Sequence, residues 1–154
     1  MLYFKAMTAT AHMLVGGAIA VSVHNPTLGI SLSLLSHPLL DLVPHWDVGW
    51  GWRSKSKLKF IAQAILDCTI GLVLTFLIFG PLADFKYLLL CIFASLFVDI
   101  LEAPYLFLGW KFPPFSYVYQ IQSNMQGKMR LPWGIVTQVA SVVIILAILT
   151  SLKL

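Results

Sequence analysis

Charge is what this sequence has least of. Only 10% of its 154 residues are charged, where soluble domains carry roughly 25%, and that shortfall argues against a surface built for water. Acids are the scarcer sign, with six Asp and Glu against ten Lys and Arg. The resulting net charge of +4 is not gathered into a patch. The basic residues are scattered along short loops, so nucleic acid is not an expected partner and membrane orientation accounts for them better. Cysteine is nearly absent. Cys68 and Cys91 lie in apolar segments without metal-ligand spacing, which excludes a disulfide framework and reads as packing. There is no convincing internal repeat and no low-complexity tail. Residues 1–10 hold one Lys and no small-residue cleavage site, so a removable leader is not expected there.

What the sequence has in abundance is hydrophobic residues, 59% of the chain. A spanning helix needs roughly 20 apolar residues, with about 17 to 25 as the usual range. Five segments approach that standard, at residues 6–23, 28–43, 58–79, 85–110 and 131–152. The expected fold is therefore all-α, a single transmembrane helix bundle over residues 1–154. The second segment, bounded by Asn25-Pro26 and Pro44, is short enough to be re-entrant. Gly80-Pro81 separates the third and fourth, and residues 111–130 are too polar to span. A cytoplasmic N-terminus would put Lys5, Arg53, Lys55, Lys57, Lys59, Lys111, Lys128 and Arg130 inside and only Lys86 and Lys153 outside. That asymmetry obeys the positive-inside rule.

Ionisable residues inside lipid are costly and mark interior contacts or functional sites. At about 1.5 Å rise per residue, His12 and His37 come out roughly 9 Å from the cytoplasmic helix ends, and Glu102 about 12 Å. Asp67 and Asp99 come out near 14 and 16 Å, and Asp41 lies close to the surface. Four helices thus place acids or imidazoles in the cytoplasmic half, whereas His24 falls in an outer loop and reads as solvent-facing. His37 and Asp41 share a helix face at four-residue spacing, and His45 follows at the same step, although Pro44 disturbs its direction. Asp99 and Glu102 stand one turn apart, where two acids repel unless a cation or proton intervenes. Imidazole nitrogen with carboxylate oxygen suits a divalent metal: zinc is favoured, manganese or iron possible. Asp67, read alone, is as compatible with a packing residue as with a site. His12 read by spacing alone is equally compatible with a carbonyl-bonded histidine.

The stretch Met7-Thr8-Ala9-Thr10-Ala11-His12, and the block from Leu35-Ser36-His37-Pro38 through Asp41 to His45-Trp46-Asp47, resemble the YdjM-like family of inner-membrane metal-dependent hydrolases. The resemblance covers about residues 7–50. It implies that His12, His37 and Asp41 are metal ligands and that the chain resides in a prokaryotic inner membrane. The family's Asp-x-Asp-His and His-Arg-Gly-x-Thr-His blocks do not occur here. Any missing ligands would then come from Asp67, Asp99 or Glu102.

The expected function is hydrolysis of a membrane-associated phosphoester. His12, His37, Asp41 and His45 would hold metal, and Asp67, Asp99 and Glu102 would complete the coordination or act as general base. Arg53 and Lys55 read first as positive-inside anchors, and Arg130 as an anchor too. The sharper reading has them draw an anionic lipid phosphate to the mouth. The rival class is a proton- or cation-coupled transporter using the same acids.

Overall fold

A computed structural model of the chain describes residues 7–49, 51–125, 127 and 129–152. Lys5, Lys128 and Lys153, which enter the charge balance, lie outside the described residues. Within them the chain is all-helical, with seven α-helices and no strand: α1 Ala9–Ser22, α2 Pro26–Asp41, α3 Lys57–Phe79, α4 Phe85–Ser95, α5 Phe97–Ala103, α6 Phe115–Met125 and α7 Trp133–Leu152. A π-helical turn, Pro104–Leu108, continues α5.

Local chemistry explains most of the helix boundaries. Asn25 caps α2 by accepting from the Leu28 amide, with Pro26 in the first turn, where its missing N–H costs nothing. Ser56 caps α3 and Asp84 caps α4 in the same way. The α3 helix has 23 residues and at 1.5 Å each rises about 34 Å, enough for a hydrocarbon core of about 30 Å. It is the one helix that is by itself long and apolar enough to cross a membrane among the described residues.

The expected fourth span is not one helix. It breaks at Leu96, which takes φ −100° and ψ −1°, and the halves Phe85–Ser95 and Phe97–Leu108 meet at 55°. Ser95 Oγ donates back to the Ile92 carbonyl at 2.8 Å, a local bond of the kind that bends helices. Together the halves make a second candidate span. The polar segment expected over 111–130 carries α6.

The expected first span is also shorter than its hydropathy implies. With 14 residues, α1 rises about 21 Å. It is apolar all round because it is the central helix, packed against α2, α3, α4 and α7. One side, Ala11, Val15 and Ile19, meets Leu40 and Val142. The other, Met13, Ala18 and Ala20, meets Phe79, Leu88, Cys91 and Ile92. Gly16 lets α4 approach, since a Cβ there would lie 2.9 Å from the Cys91 carbonyl oxygen. Cys91 is buried as expected, whereas Cys68 is exposed on α3. The outward sides of α2, α3, α4 and α7 present Leu35, Leu39, Ile65, Leu77, Leu90 and Ile144, an apolar exterior of the kind that marks contact with lipid or a partner.

Candidate metal centre

The centre forms where α1, α2, α5 and α6 meet. His12 comes from the first half of α1, His37 and Asp41 from the last turns of α2, and all three are buried. The His12 and His37 rings stack with centroids 3.9 Å apart and planes 12° from parallel. His37 Nδ1–H donates to the Ser95 carbonyl at 2.6 Å, which leaves Nε2 with its lone pair turned toward the centre. The break between α4 and α5 thus sits beside the carbonyl that orients this ring.

Donor spacing decides what the group can hold. His12 Nε2 lies 3.4 Å from Asp41 Oδ1, and His37 Nε2 lies 3.3 Å from Asp41 Oδ2. Charge-assisted N–H···O bonds run about 2.7–2.9 Å, so both separations are too long for good hydrogen bonds. Ligand atoms about 2.0–2.1 Å from a tetrahedral zinc stand about 3.3–3.4 Å from one another. One donor atom from each of His12, His37 and Asp41 lies within 4.8 Å of the other two, and this buried group can hold a metal ion.

Backbone and amide donors hold the carboxylate in place. Asp41 Oδ1 accepts from the Met7 amide at 2.9 Å, and Oδ2 from the Gln122 side-chain N–H at 2.8 Å. Gln122 Nε2 is also 3.3 Å from His37 Nε2, so its amide faces two of the three candidate ligands. Sequence reasoning missed this residue. A neutral amide in a polar segment, 81 positions from Asp41, has no spacing signal; its only trace is an amphipathic helix among aromatic residues.

The structure separates the remaining candidates. Asp99 on α5 is half-buried, with Oδ1 3.7 Å from His37 Nε2. Glu102, one turn on, is fully buried. His45 is buried but outside the three-residue group, and its Nδ1–H donates to the Val43 carbonyl at 2.5 Å. His24 is exposed, as expected.

Asp67, on α3 and expected in the catalytic set, caps α1. It accepts from the Ala9 amide at 2.8 Å, the Thr10 amide at 3.3 Å and the Thr10 hydroxyl at 2.7 Å. The helix needs this because Thr8, at its N-cap, makes no side-chain capping bond. Asp67→Ala is therefore expected to cost about 1–2 kcal/mol in thermal or denaturant unfolding. Asp67→Asn should keep both metal content and any turnover. Loss of turnover in Asp67→Asn at unchanged stability would return the residue to the catalytic set.

Two of the three basic candidates are hydrogen-bonded within the chain. Lys55 Nζ donates to the Val48 carbonyl at 2.5 Å and to Gln63 Oε1 at 3.0 Å. Burial holds this ammonium below the ordinary lysine range, against the pull of the nearby Asp47 carboxylate. Arg53 reaches the Tyr119 hydroxyl at 3.5 Å, and Arg130 is exposed.

Two cavities of about 220 Å³ each flank the centre. Asp99, Asp67 and Asp47 line the first among Phe60, Leu96 and Phe107. His37, Asp41 and Gln122 line the second among Val98, Ile121 and Met125. Each is largely apolar with a few convergent polar groups, the usual make-up of a ligand site. No protein-family model, curated protein or solved structure matches the chain.

Proposed function

We propose that this chain is a membrane-embedded, metal-dependent hydrolase that cleaves a lipid phosphoester. The observation that carries the reading is the 3.3–3.4 Å spacing of two imidazole nitrogens about one buried carboxylate. Each nitrogen faces a different oxygen of that carboxylate, and one donor from each residue lies within 4.8 Å of the other two, close enough to share one ion. Two nitrogens and an oxygen favour zinc, with manganese or iron as alternatives. When bound, such an ion supplies a Lewis acid that polarises a phosphoryl oxygen.

The chain's own residues do the rest. The Ser95 carbonyl fixes the tautomer of His37, and Gln122 and the Met7 amide hold the Asp41 carboxylate in register. Asp99 and Glu102 serve the same centre, as further oxygen donors or as the base that takes a proton from the attacking water. The apolar walls of the two cavities suit an acyl or isoprenoid chain. Lys55 stands at the rim of the first, bonded to its lining residue Val48. In this reading the bundle crosses an inner membrane with a cytoplasmic N-terminus. Five spans remain part of the proposal, with α1 and α2 as short crossings and α4–α5 as one bent crossing. Resemblance of residues 7–50 to the YdjM-like hydrolases supports the same assignment.

One observation favours a cation-coupled transporter instead. The break at Leu96 bends a candidate span by 55° beside the centre, and transporters build ion sites at such breaks. Elemental analysis of the detergent-purified chain, with phosphate release from a polyprenyl or diacylglycerol phosphate, decides between them. The hydrolase reading expects stoichiometric transition metal and release that a chelator stops. Wild-type protein without stoichiometric metal would sink it. Bound metal with no release, but cation flux into proteoliposomes, would replace it with the transporter.

A further inference from the structure

His12, His37 and Asp41 account for only part of the acid chemistry gathered here. Glu102 has no exposed surface, and neither of its carboxyl oxygens has a hydrogen-bond partner among the described residues. Buried polar groups are almost always paired, so this side chain calls for an occupant. It shares a face of α5 with Asp99. Asp99 in turn lies 3.7 Å from His37 Nε2, so the α5 face that carries both acids borders the centre.

A further acid stands beside the three, with Asp99 Oδ1 3.7 Å from His37 Nε2. Asp99 lies outside the compact group formed by the first three.

We propose that Asp99 and Glu102 hold a second divalent cation beside the His12–His37–Asp41 group, making the centre dinuclear. The proposal rests on the metal-dependent reading and deepens it. The first position offers two nitrogens and an oxygen. The second offers oxygen alone and so prefers a harder ion such as manganese or magnesium. Two cations about 3.5–4 Å apart clamp both the attacking and leaving oxygens of a phosphoryl group, and their combined charge favours an anionic substrate over a neutral ester.

The test is titration of the metal-free, detergent-solubilised full chain with Mn²⁺, read by bound stoichiometry and electron paramagnetic resonance. Wild type should bind two ions per chain with an exchange-coupled spectrum. Glu102→Gln, which keeps size and helix propensity, should bind one ion with an uncoupled spectrum and weaken the second by about 100-fold or more. Asp99→Asn should behave likewise, which guards against a folding defect in either variant. A single ion in wild type, or two retained in both variants, overturns the second site. If that single ion is lost in His37→Ala, the dinuclear proposal fails and the hydrolase reading stands. Wild type that binds no ion overturns both.

Discussion

Asp41→Asn is expected to abolish stoichiometric metal binding while leaving the helical fold in place. The substitution keeps the shape of the side chain, and its remaining carbonyl oxygen can still accept from the Met7 amide, now 2.9 Å from Oδ1. What it removes is the negative charge between the two imidazoles, 3.4 and 3.3 Å from their Nε2 atoms. Loss of an outer-shell partner typically weakens metal binding about 10- to 100-fold. Gln122→Leu should fall in that range, and loss of the central anionic ligand should exceed its upper end. Asp41→Ala would be a poorer probe. It would strand the Met7 N–H and one Gln122 N–H in the interior at about 1–3 kcal/mol each, mixing stability with affinity.

Linkage separates the two effects. An ion at 100 times its dissociation constant stabilises the folded state by about 2.7 kcal/mol, so zinc should raise the melting temperature of wild type. The same zinc should leave Asp41→Asn unmoved. If the variant still shows a zinc-dependent shift and full metal content, the three-residue group is not the binding site.

The parts of this centre that the sequence reveals are those written in local spacing. The pair His37 and Asp41 is legible because four residues return a helix to the same face. The reach of α3 is legible from an apolar run closed by Gly80-Pro81. The break at Leu96 is not, because Ser95-Leu96-Phe97-Val98 contains neither Gly nor Pro and continues the apolar run of α4. The bend goes with a local bond from Ser95 Oγ back to Ile92, and with a contact that spacing does not encode, the Ser95 carbonyl accepting a hydrogen bond from His37, 58 positions away. The capping role of Asp67 is hidden for the same reason. Its partners are backbone amides of α1, also 58 positions distant, and a depth estimate cannot tell a cap from a ligand. The shortness of α1 is hidden too, since a central helix buried by four neighbours has the same composition as one that faces lipid.

Gly16→Val is expected to damage the centre without touching any of its ligands. A Cβ at this position would meet Ser95 Oγ at 2.8 Å and the Cys91 carbonyl oxygen at 2.9 Å. The hydroxyl can rotate away, but the carbonyl is part of the α4 backbone, so the helix itself has to move. Forcing extra carbons into a packed interface costs about 1–3 kcal/mol, and here the displaced segment ends at Ser95. Its carbonyl is the acceptor 2.6 Å from His37 Nδ1. Shifting it weakens the bond that points His37 Nε2 toward Asp41, so metal affinity should fall about 10- to 100-fold, as for other outer-shell losses. Stability and affinity should fall together in Gly16→Val, whereas Asp67→Ala should lose stability alone. Thermal unfolding in detergent with and without zinc reads both quantities. Unchanged zinc affinity in a destabilised Gly16→Val would mean that the α4 backbone does not position His37.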